Sequence, residues 1–210
     1  MEKETYKNYD IIIEQDECGE SPREWDNLGK MVCFHRSYTL GDEHDISSDN
    51  FDGWDEMEEY LKNECDAVVI LPLFLYDHGN ISMKTCVHGQ HAGWDGGYVG
   101  FIYATRKQIL NEYGCKKIGK NLRKRVEKLL LNEVEIYSNY LEGSIYCYRI
   151  ELNEERIGYT VGGFYGYDNE ENGLMENAKN DIDVYIKEKR EEKTKKLKAF
   201  IKNGVELSYR

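Results

Sequence analysis

The five histidines of the chain, His35, His44, His78, His88 and His91, all fall within residues 35–91, and two of them, His44 and His78, stand beside carboxylates. Imidazole and carboxylate are the groups that move protons near neutral pH and that ligate zinc and similar divalent ions. Asp42-x-His44-Asp45 and Asp77-His78 pair them closely. They support two chemical assignments. His35, Asp77 and His78 would work as acid–base groups, or Asp42, His44 and His78 would ligate the metal of a hydrolytic centre, provided the fold brings them together. Cys86-x-His88-x-x-His91 offers zinc-type donors but lacks a fourth ligand at a recognisable spacing. Cys33 and His35 alternate onto one face of an expected strand, yet nothing nearby supplies the third group that a nucleophilic pair needs. For each of these sets the ordinary alternative is a histidine that caps a loop, or a small core cysteine.

Other chemistries find less support. There is no Gly-x-Gly-x-x-Gly and no Gly-Lys-Ser/Thr, so no nucleotide cofactor is expected. The six cysteines form no Cys-x-x-Cys pair, which argues against a zinc ribbon or a thioredoxin-type motif. The segment MEKETYKNYD carries no apolar leader, and the cysteines read as reduced thiols of a cytosol. No apolar run approaches the roughly 20 residues that span a bilayer, so no membrane partner is expected.

Charge is unevenly spread. The 210 residues carry a net −12, and residues 1–100 hold 22 acids against 7 bases. Between residues 42 and 66 eleven acids face a single base, Lys62. Such a surface repels polyphosphate, which excludes ordinary duplex DNA as its partner. It would attract a basic protein surface, including one that normally holds nucleic acid, although a merely solvated face has the same composition. Asp49, Asp52, Asp55, Glu56, Glu58 and Glu59 are the candidate partner-binding residues.

Periodicity places these groups on elements. Strands are predicted at Tyr9–Glu14, Met31–Arg36, Ala67–Tyr76 (bent or interrupted at Pro72), Ile81–Lys84 and Tyr98–Ala104. A hairpin is expected over Ile145–Leu152 and Arg156–Val161, turning at Asn153-Glu154, with a tight turn at Gly162–Gly166. Helices are predicted at Trp54–Glu64 with Asp52 as N-cap, after a Thr105–Gln108 capping box, at Lys120–Leu141 before Gly143, and from Leu174 to about residue 203. The mixed order argues for an α+β fold: a largely antiparallel sheet with two long helices on one face, plus short helices, in a single domain. The last helix interleaves Lys and Glu over Lys187–Lys198 and would be an appendage or a homodimer element. Trp25-Asp26, Trp54-Asp55 and Trp94-Asp95 read as loop and helix anchors.

Asp26-Asn27-Leu28-Gly29-Lys30-Met31-Val32-Cys33-Phe34-His35-Arg36, then Leu40-Gly41-Asp42-x-His44-Asp45, Pro72-Leu73-x-Leu75-Tyr76-Asp77-His78-Gly79, Trp94-Asp95-x-Gly97-x-Val99-Gly100-Phe101-Ile102-Tyr103 and Gly163-Phe164-Tyr165-Gly166 occur in this order. Together they resemble a family of small proteins carried by bacteriophages and mobile elements of Firmicutes. The resemblance spans residues 26–166 and supplies no reaction to carry over. It implies a setting, an accessory protein in the cytoplasm of a bacterial host. By analogy with other acidic accessory proteins, the expected role is inhibition of a host defence nuclease or CRISPR-type effector, its basic nucleic-acid-binding surface being met by the acidic segment. A metal-dependent or His/Asp acid–base hydrolase of a small or nucleotide-like substrate is the alternative.

Overall fold

The structure is a computed structural model that describes residues 1–77, 79–86 and 97–202. It is an α+β protein, with two four-stranded antiparallel sheets where the sequence suggests one. The chain divides into two compact units, one formed by Met1–Gly19 and the chain from Ile145 onward, the other by Glu20–Ser144.

In the first unit the strands run in the order β1-β2-β7-β8, with β1 at Glu2–Tyr6, β2 at Tyr9–Gln15, β7 at Ile145–Leu152 and β8 at Glu155–Tyr165. Both hairpins turn through two residues with positive φ, Lys7-Asn8 and Asn153-Glu154, the conformation whose twist suits adjacent strands. β1 escaped the sequence reading because Glu2-Lys3-Glu4-Thr5 is charged and exposed, as befits an edge strand. Gly162-Gly163 lies inside β8 rather than in a tight turn. The helix α4, Leu174–Lys202, lays Leu174, Met175, Ala178 and Ile182 on Ile11, Ile13, Tyr148 and Ile150. The Tyr148 hydroxyl donates to Asp181 at 2.6 Å and ties helix to sheet.

In the second unit the order is β3-β6-β4-β5, with β3 at Lys30–Cys33, β4 at Ala67–Asp77, β5 at Ile81–Thr85 and β6 at Gly97–Thr105. β4 passes through Pro72 unbroken. Its pairing with β5 begins only at Leu73, so on that side the missing N–H has no rung to lose. The strand alternation buries both faces. Met31, Leu71, Leu73 and Ile102 point to α3 (Lys120–Leu141), which contributes Val126, Leu130, Val134 and Tyr137. Val32, Ile70, Phe101 and Tyr103 point to α1 (Trp54–Asn63), which contributes Met57 and Leu61.

Helices therefore cover both faces of this sheet, and the two long helices serve different sheets instead of sharing one face. α2 (Arg106–Glu112) starts with the expected capping box, the Thr105 hydroxyl accepting from the Gln108 N–H. At α1 the N-cap position falls on Gly53, not Asp52, and the Glu56 carboxylate accepts from the Asp52 N–H at 2.6 Å. Among the described residues no helix is long and apolar enough to cross a membrane.

Candidate functional site

The loop that follows β3 carries most of the sequence-predicted site, and a buried ionic clamp holds it. Ser21 caps a short 3₁₀ turn at Pro22–Glu24 and aims Arg23 inward. The guanidinium donates to both oxygens of Asp42 at 2.8 Å, to the Gly29 carbonyl at 2.6 Å and to Glu133 at 3.3 Å. Asp42 also accepts from the Met31 N–H at 2.8 Å. Glu133, on the sheet-facing side of α3, accepts from the Leu28 and Gly29 N–H groups. A Cβ on Gly29 would stand 2.5 Å from Leu130 and 2.7 Å from the Glu133 carboxylate, so any larger residue would force these packed side chains to shift. Gly41 has φ of +73° and donates its N–H to the Tyr137 hydroxyl at 3.0 Å.

The charges of this clamp are not equivalent. Burial works against the Arg23 charge, but the Asp42 and Glu133 carboxylates more than offset it and hold Arg23 above its ordinary value. Burial raises Glu133 above the usual carboxylate range despite the opposing Gly29 N–H and Arg23. Asp42, held through two oxygens, is thus the principal counter-ion, and Glu133 acts chiefly as a hydrogen-bond acceptor for the loop.

Asp42 is therefore engaged as a structural clamp. His44 is likewise engaged: Nδ1 faces the Ile46 carbonyl at 3.1 Å and Nε2 the Cys33 carbonyl at 3.2 Å. Among the described residues no three of the His, Cys, Asp and Glu side chains come together to hold a metal ion. His78, His88, His91 and the Trp94-Asp95 pair lie outside the described residues.

β3 ends at Cys33, so Cys33 and His35 do not share a strand face. Cys33 is buried, and burial and Asp42 push its thiol up to about 12, which removes it as a nucleophile at neutral pH.

His35 and Asp77, distant in sequence, line one hollow, with Tyr38 between them. The His35 ring stacks on Tyr38 with centroids 4.9 Å apart, and the Tyr38 hydroxyl points to Asp77 at 3.5 Å. The hollow, of about 430 Å³, is open and is also lined by Arg36, Leu75 and Tyr98. Tyr38 was passed over in the sequence, where nothing links it to a residue 39 positions on. Arg23 and Glu133, 110 positions apart, left no local signal either.

The second candidate surface is α1 and its lead-in. Trp54, Met57 and Leu61 turn to the sheet, where Trp54 stacks on Tyr98 at 4.5 Å. The opposite side is left to carboxylates. Asp49, Asp52, Asp55, Glu56 and Glu59 are exposed, whereas Glu58 is half-buried and pairs with Lys62 at 2.6 Å. Lys62, the one base between residues 42 and 66, is thereby neutralised. Beside this face Asp45, Glu56, Glu59 and Glu64 rim a groove of about 560 Å³ floored by Ile46, Phe51 and Tyr60, the two rings meeting edge to face at 5.3 Å. Burial, then Glu58, Cys86 and Asp55, raise the Tyr98 phenol above its ordinary range.

Comparison with protein-family models, curated proteins and solved structures returns no match. The side chains themselves carry the functional reading.

Proposed function

We propose that the protein is a binding protein that inhibits a host defence nuclease or CRISPR-type effector in the bacterial cytoplasm. In this reading its acidic α1 face occupies a basic surface that otherwise holds nucleic acid. The observation that carries the proposal is the segregation of charge on α1 and its lead-in: Asp55, Glu56 and Glu59 on the helix and Asp49 and Asp52 before it are exposed, and Lys62, the one base between residues 42 and 66, is paired with Glu58. Such a field speeds encounter with a cationic partner and repels nucleic acid itself. The groove floored by Phe51 and Tyr60 adds aromatic surface on which a partner guanidinium can stack.

The test is capture from a bacterial lysate by wild type and by a variant with Asp49, Asp55, Glu56 and Glu59 reversed to Lys. Wild type should retain a partner that salt or a DNA fragment displaces, and the reversed variant should retain none. A partner held equally by both, or indifferent to DNA, overturns the proposal.

His35 and Asp77 at one hollow, with Tyr38 stacked on the first and directed at the second, favour a second reading, acid–base hydrolysis of a small substrate. Hydrolysis of a phosphate-ester panel that survives in H35A and D77N would remove it.

A further inference from the structure

The end of α4 is as cationic as α1 is acidic. Every described residue after Ile186 is exposed, and residues 193–202 hold five lysines and no carboxylate. In that same stretch Leu197, Phe200 and Ile201 are 47%, 43% and 55% exposed. Their spacing of three and four puts them on one side of the helix, with Lys193 one turn before Leu197 on that side, Lys196 and Lys198 flanking, and Lys195 and Lys202 turned away. The last lysine-rich turns are thus amphipathic, and no part of the described chain covers them. A helix end of this kind is only marginally stable in water by itself and gains from an apolar partner of opposite charge.

The groove beside α1 has the matching properties. Its rim is Asp45, Glu56, Glu59 and Glu64, and its floor is Phe51 and Tyr60, with Tyr60 36% exposed. α1 has 10 residues, about 15 Å of helix at 1.5 Å per residue, and residues 193–202 span a similar length. Both surfaces are exposed, although Lys196 is paired within its own helix to Glu192 at 2.7 Å, a pair that docking would have to exchange.

We infer that the two surfaces are each other's partners between copies: the Lys193–Lys202 end of α4 in one molecule docks along the acidic groove beside α1 in a second. Phe200 meets the Phe51–Tyr60 floor, and Lys193 and Lys196 meet Glu56 and Glu59. The contact is heterologous, so an open assembly retains one free groove at one end and one free helix end at the other unless a ring closes. The same acidic surface serves the proposed function, so self-association masks it until a more basic partner competes. The self-contact itself does not depend on that function and is tested on the purified protein alone.

The experiment is sedimentation velocity over a wide concentration series, at low and high salt, with E56K/E59K, K193E/K196E and their equimolar mixture. Helical content by circular dichroism shows that each variant is folded. Wild type should associate with rising concentration, and salt should weaken it. Each variant alone sets like charge against like, and its apparent dissociation constant should rise by about tenfold or more.

The mixture should regain association, because each reversed surface then meets its complement. Wild type that stays monomeric at low salt, or a mixture of folded variants that fails to associate, overturns the inference. Retention of monomeric wild type on anionic vesicles, lost in K193E/K196E, would assign the helix end to a lipid surface instead and likewise overturn it. None of these outcomes depends on capture of a host protein, so failure here and failure of the proposed function are read separately.

Discussion

Asp42 and Asp55 belong to one acidic stretch, yet the fold uses them in opposite ways. Asp42 is drawn inside, with both oxygens on Arg23 and one also on the Met31 N–H. Asp55 rides the outer side of a helix whose other side is filled by Trp54, Met57 and Leu61. The difference is one of partners. A carboxylate beside a buried guanidinium and a converging N–H is consumed as structure, and its loss leaves an uncompensated charge. A carboxylate on a helix face without a nearby base stays hydrated and contributes to the field seen by other molecules. Acidic composition alone does not separate the two. Asp42 and His44 are both hydrogen-bonded within the frame that holds the loop between β3 and α1.

The contrast is broken most sharply at Arg23. R23M should cost about 3–5 kcal/mol of unfolding free energy, measured by urea denaturation, because it strands Asp42 and Glu133 at once. A loss no larger than that of a surface substitution would show that the clamp is not structural. Y137F comes next. It removes the acceptor of the Gly41 N–H and should cost about 1–2 kcal/mol in the same measurement.

Glu133 predicts a pH dependence. Its folded value is raised by burial, so between the ordinary carboxylate range and that value the folded state binds more protons than the unfolded state. Its contribution therefore makes stability fall as pH rises through that window and stay lower above it. E133Q should flatten this slope while keeping an acceptor for the Gly29 N–H, and an unchanged slope would exclude Glu133 as its source. The smallest effect is expected at the outer face. D49N/E59Q should change stability by no more than about 0.5 kcal/mol in either direction, yet weaken any salt-sensitive association of the protein. A large stability loss there would mean that these carboxylates too are structural.

Much of this architecture was written in local pattern. The apolar spacing of Leu122 through Leu141 gave the bounds of α3, and the Thr105–Gln108 box marked the start of α2. Asn153-Glu154 identified the β7–β8 turn. β1 was missed because an exposed edge strand needs no apolar alternation, and the N-cap of α1 falls one residue past Asp52, on Gly53, with no side-chain cap hydrogen bond. The division of one expected sheet into two had no local mark. Strand pairing joins β2 to β7 across 129 intervening residues, and periodicity carries no information about which strand lies beside which.

The candidate sites divide along the same line. The density of carboxylates between residues 42 and 66 and of lysines near the end of α4 are properties of the chain, since charge is set by composition and helical spacing assigns it to a face. Which carboxylates remain outside was decided only by folding. Arg23, Asp42 and Glu133 come from three separate segments, and their mutual attraction becomes strong only where packing excludes water. The approach of Tyr38 to His35 and Asp77 arises in the same way, from a loop that returns beside the end of β4. Local forces act between neighbours along the chain, whereas a buried ion pair or a shared hollow needs distant segments fixed together by the core.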